Sequence, residues 1–152
     1  MEHKKQLIDM TEKFYIDVVE EFKESELQII ADSKFSNLFK KKDYDGNLAR
    51  LRACKKTALC IDVREISFPA GDEESKEVAR RLEKCLVVFN NLCDSYIQLQ
   101  LALKKKANKE SLKFSEYKEI FQKVQTARNT LNSALHDLDI VYTEYAFEDE
   151  EE

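Results

Sequence analysis

The chain has 152 residues, a net charge of −5, and 36% charged against 43% hydrophobic residues. Two glycines, one proline and no tryptophan are the make-up of helices joined by few turns, in a length that suits one domain with a real core. No apolar run nears the ~18 residues of a membrane span, and the N-terminus leads into an acidic amphipathic pattern rather than a signal core, so the expectation is a cytoplasmic protein without membrane contact.

The first helix is expected from about Lys4 to Ala31, with Leu7, Phe14, Val18, Phe22 and Ile29 as its apolar stripe and acids over most of the remainder. Asp32-Ser33 then reads as the cap of a short extra helical turn, with Phe35, Leu38 and Phe39 folded back onto the core. Lys40-Lys41-Lys42-Asp43-Tyr44-Asp45-Gly46 is the first clear break. The second helix is expected from near Asn47 to about Arg64, turned inward at Leu48, Leu51, Cys54, Ala58 and Ile61. It is shorter than its neighbours, and the Asp32–Phe39 segment is expected to fill the space it leaves.

Ser67-Phe68-Pro69-Ala70-Gly71 breaks the chain again, and Asp72 or Ser75 caps the third helix. Val78, Leu82, Cys85, Phe89, Leu92, Tyr96, Leu99 and Leu103 then follow at steps of 4, 3, 4, 3, 4, 3 and 4, one stripe of a long helix ending in the polar stretch Lys104–Lys113. The fourth helix starts near Ser115 and carries Tyr117, Ile120, Val124, Ala127, Leu131, Ala134, Leu138, Val141 and Tyr145 at the same alternating steps. Residues 148–152 lack apolar content and are expected to form a disordered acidic tail after a domain of 1–147. Short connections between these helices give an all-α fold: an antiparallel up-down-up-down four-helix bundle, with a short extra helix between helices 1 and 2.

Charge is segregated. Residues 34–71 hold 9 bases and 4 acids, residues 104–128 hold 8 bases and 3 acids, and residues 129–152 hold 8 acids and no base. Up-down folding brings Lys40, Lys41 and Lys42 to the same end as Lys104, Lys105, Lys106 and Lys109, a candidate anion-binding end. Neither cluster has interleaved arginine or aromatic residues in sequence. Cys54, Cys60, Cys85 and Cys93 form no C-x-x-C pair, and two histidines are all that could join them, so free thiols and no metal or cofactor are expected.

One polar stripe borders the apolar face of helix four: Gln125, Arg128, Asn129, Asn132, His136 and Asp139. Antiparallel register sets Arg128 level with Cys93–Asp94, and an Arg128–Asp94 ion pair is expected to fix that register. Arg128-Asn129 followed by His136 resembles the Arg-polar…His signature of the HEPN family, helical bundles that include metal-independent ribonucleases. That resemblance implies Arg128 as a phosphate ligand and His136 as the acid–base group. The primary reading is a non-enzymatic protein-interaction or structural module with a protein partner or self-association. A HEPN-like ribonuclease or inactive relative, and an anion or nucleic-acid binder using the lysine-rich end, are the alternatives.

Overall fold

The computed structural model describes residues 2–35 and 42–151. Among them the elements are α1 (Glu2–Lys13), a π-helical segment (Phe14–Glu20), α2 (Glu21–Asp32), α3 (Tyr44–Leu59), a 3-10 turn (Val63–Glu65), α4 (Glu73–Ala107) and α5 (Phe114–Glu151). The first three run on without a break and make one rod, so the protein is an all-α bundle of four helices, with no strand among the described residues. Phe14, Val18 and Phe22 follow at two successive steps of four, which would carry an α-helical stripe steadily round the rod. The wider i→i+5 winding takes up that drift while Phe14, Val18 and Val19 stay buried.

Facing pairs set the helix directions. Between the first rod and α5, Tyr15 meets Asp139 and Glu26 meets Arg128, numbers rising on one side as they fall on the other. α3 and α4 also run antiparallel, through Asp45–Lys104, Asn47–Gln100 and Lys55–Asp94. So do α4 and α5, through Ser75–Tyr145 and Arg81–Asp137. The first rod and α4 run parallel, His3 meeting Asp72 and Tyr96 meeting Glu26.

The core is the one the spacing prescribes. All eight stripe residues of α4 are at most 3% exposed, and Phe89 presents its ring to the edges of Phe14 and Phe22 at 6.4 and 5.1 Å. Two gaps of seven in the first rod's stripe are filled by buried polar residues, Thr11 and Glu26. Thr11 answers its own burial by donating to Leu7 O at 2.7 Å.

Caps explain the helix starts. Asp43 accepts from the Gly46 amide at 2.9 Å, and a Cβ at position 46 would lie 2.1 Å from the Asp43 carboxylate, so any other residue there would displace this cap. Asp72 accepts from the Ser75 amide at 3.1 Å and hydroxyl at 2.8 Å, and it also joins His3 Nε2 at 2.7 Å, tying the start of α1 to that of α4. At the other end of α4 the Lys109 and Glu110 amides donate back to Lys106 and Lys105 carbonyls at 3.0 and 2.9 Å, with Lys109 left-handed at φ 66°. That is a Schellman stop with lysine in the position glycine usually takes.

Two local expectations change. Asp32 belongs to α2 and Ser33 ends it, the Ser33 hydroxyl donating to Ile29 O at 2.5 Å, so this pair closes a helix rather than opening one. The rest of the expected extra helix, and with it the expected filling of the space beside the short second helix, falls on residues 36–39, outside the described residues. α3 ends at Leu59 rather than near Arg64, and Ile61, Val63 and Ile66 are buried on the stretch that leads to α4. α5 is helical through Glu151.

Candidate functional site

Arg128 leaves α5 on the side that faces the first rod. Its Nε donates to Glu26 Oε2 at 3.0 Å and its second prong to Glu26 Oε1, while NH1 reaches Asn132 Oδ1 at 3.3 Å. Tyr96 adds a 2.7 Å bond to Glu26 Oε2. Burial pulls the guanidinium below its ordinary basicity, and the bidentate carboxylate answers the charge that burial would otherwise penalise. The expected Arg128–Asp94 pair does not form. Ser75–Tyr145 and Arg81–Asp137 hold the α4–α5 register antiparallel, yet Asp94 points to α3 and bonds Lys55 at 2.5 Å. Level along the axis did not mean same side.

His136 stands on the outer face of α5, exposed, eight residues from Arg128 and therefore about 12 Å along the helix axis. A groove of about 470 Å³ lies between α4 and α5, lined in part by Asn91, Ser95, Lys123, Thr126 and Thr130. Thr126 is two residues from Arg128, about 200° round the helix, so the groove contains neither Arg128 nor His136. Geometry separates what a nuclease would bring together.

The seam between the first rod and α5 continues below Arg128 to the π segment. There Tyr15 donates to Asp139 Oδ1 and packs edge-on to Tyr142 at 5.8 Å. Burial first, then the bond to Asp139, push the Tyr15 phenol far above its usual range, so it remains a neutral donor.

The lysine-rich end has more content than its sequence suggests. Beneath it lies a buried polar junction of three helices: Asn47 Nδ2 donates to Asp32 Oδ2 (2.9 Å) and Gln100 Oε1 (3.0 Å), and Gln100 Nε2 to Ser33 Oγ (2.7 Å). Above it Phe35 packs on Phe114 at 5.3 Å and Tyr117 at 4.9 Å, and Tyr117 stacks on Phe121 at 5.8 Å. Lys106 caps this cluster, 3.2 Å over the Phe35 ring and 3.0 Å from Phe35 O. So aromatic residues do interleave with the lysines, contributed by the stretch that follows α2 and the start of α5.

The candidate lysines divide by role. Lys42 donates to Lys34 O at 2.8 Å, and Lys106 to Phe35 O, so both tie down the stretch that follows α2. Lys104 pairs with Asp45 at 2.7 Å. Lys105 and Lys109 are exposed and form no ion pair among the described residues, as do Lys113 and Lys118 beside them. Lys40 and Lys41 lie outside the described residues.

The cysteines are unpaired thiols: Cys85 and Cys93 buried, Cys54 half-buried, Cys60 exposed. Burial pushes the Cys85 thiol up to about 12 and raises Cys54 and Cys93 as well. Among the described residues no three imidazole, thiol or carboxylate groups gather as a metal would require, and no helix is long and apolar enough to cross a membrane. Compared with known proteins, the chain matches no family model, no curated protein and no solved structure.

Proposed function

We propose that this protein is a non-enzymatic helical-bundle module of the cytoplasm that acts by binding protein surfaces. The observation that carries this reading is the closure of Arg128 onto Glu26: the residue best suited to hold a phosphate is spent on joining two helices. The Asp32–Asn47–Gln100–Ser33 junction is spent the same way. Facing outward instead are large apolar side chains, among them Leu27, Ile16, Phe114, Ile140 and Phe147 at 74, 61, 60, 58 and 58% exposure. Ile140 and Phe147 lie two turns apart on one outer stripe of α5 that also carries His136 and Thr143.

The test pairs affinity capture with a cleavage assay. Protein captured by the wild type and lost from Ile140→Asp/Phe147→Asp supports the reading. Cleavage of single-stranded RNA by the purified chain, abolished in both Arg128→Ala and His136→Ala, overturns it in favour of the ribonuclease alternative. Anion binding at the lysine-rich end is the second reading, favoured by the aromatic cluster under Lys106. It expects oligonucleotide affinity that falls steeply with salt.

A further inference from the structure

We infer that the lysine-rich end of one molecule docks onto the acidic end of a second copy, so that the bundles associate head to tail. This rests on the protein-binding reading and names the partner. At one end, Lys105, Lys109, Lys113 and Lys118 are exposed around Phe114, which is 60% exposed, with Glu110, Glu116 and Glu119 as the exposed acids beside them in sequence. At the other, Glu74 of α4 meets Glu148 of α5, with Glu144 near and Phe147 58% exposed. The sequence adds four further acids after Glu148.

Each end is in electrostatic need of the other. The carboxyls of Glu74 and Glu148 face each other at the acidic end, and Lys4 is the cation acting on Glu74. Burial, then the bond and charge of Glu148, hold Glu74 above the usual carboxylate range, so like charges are crowded there. Lysines from outside would relieve that crowding. Beyond Lys4, the lysines of the basic end cannot reach it within one molecule: α4 has 35 residues, or about 50 Å at 1.5 Å per residue, several times the Debye length of about 8 Å at physiological ionic strength. A second copy supplies them at contact distance, with Phe114 and Phe147 adding an apolar centre to the charged rim. Because the two surfaces differ, the contact is heterologous and repeats, giving open chains rather than closed dimers.

Sedimentation velocity over a concentration series tests this. The wild type should grow in mass with concentration at low ionic strength and return to a monomer near 1 M salt, where the Debye length is about 3 Å. A basic-end reversal (Lys105→Glu/Lys109→Glu/Lys113→Glu) and an acidic-end reversal (Glu74→Lys/Glu144→Lys/Glu148→Lys) should each be monomeric alone and associate when mixed. Far-UV circular dichroism checks that both remain helical, and Lys→Gln and Glu→Gln versions, which should weaken association without reversing charge, stand in if either does not. A monomeric wild type at low salt, a closed dimer indifferent to salt, or reversals that still self-associate would overturn the inference. So would a single-stranded oligonucleotide that binds the lysine end of a chain that stays monomeric. Failure here with retained capture of an unlike protein would leave the protein-binding reading standing.

Discussion

Glu26 and Arg128, 102 residues apart in sequence, close on one another through both prongs of the guanidinium, with 10% and 25% of their side chains exposed. Their pairing spans a seam in which long side chains, rather than closely packed backbones, join the first rod to α5. Removing either partner strands a largely buried charge, so Arg128→Ala or Glu26→Ala should each cost about 2–4 kcal/mol. A double-mutant cycle by chemical denaturation should return a clear coupling energy. The same cycle between Arg128 and Asp94 should return none.

Phe89 has no exposed surface and meets two aromatic edges. Phe89→Ala should lower stability by about 3–5 kcal/mol, whereas Val87→Ala, two residues away and 55% exposed, should change it by less than about 0.5 kcal/mol. Urea midpoints of the two variants check the assignment of faces.

Thiol reactivity should follow burial. Brief alkylation of the native protein should label Cys60 first and Cys54 more slowly, leaving Cys85 and Cys93 untouched until denaturant is added. Mass spectrometry should then find four alkylated cysteines. Early labelling of Cys85 would mean that the α4 stripe opens in the native state.

Two carboxyls near the start of α4 should respond to pH in opposite senses. Burial alone would raise Asp72, but bonds from Ser75 and His3 hold it below its ordinary value. Its contribution to stability is present above the unfolded value of 3.8 and is lost as pH falls below that. Glu74 is raised, so its cost to the fold is absent below the unfolded value of 4.5 and appears as pH rises through its folded value. Glu74→Gln should therefore raise the thermal midpoint at about pH 7 and leave it unchanged at about pH 3, while Asp72→Asn should lower it only at the higher pH. Melts of both variants at the two pH values test the signs.

The helices and their buried faces were legible because steps of three and four map directly onto one side of an α-helix. The register of α4 against α5 was legible as well. What escaped was which side of a helix a polar residue takes. Glu26 sits in a gap of seven between Phe22 and Ile29, a place where the stripe demands an inward side chain, yet its charge let it pass for part of the acidic surface. Gln100, between Tyr96 and Leu103, and Asn47, next to Leu48, hid in the same way. The aromatic cluster at the lysine-rich end was invisible for another reason: Phe35 and Phe114 are brought together by the fold alone. The π segment has no proline or glycine to announce it, only two successive steps of four.

Lys109 holds its left-handed backbone without the freedom of glycine, at a conformational cost of about 1 kcal/mol. Stability and association should therefore part company at this residue. Lys109→Gly would relax the turn and raise the melting temperature while removing one cation from the end proposed to dock. Lys109→Asn, which tolerates the same backbone and also drops the charge, should do likewise in smaller measure. A protein that melts later and assembles less would mark this turn as a place where the chain has kept a charge at the expense of its own fold.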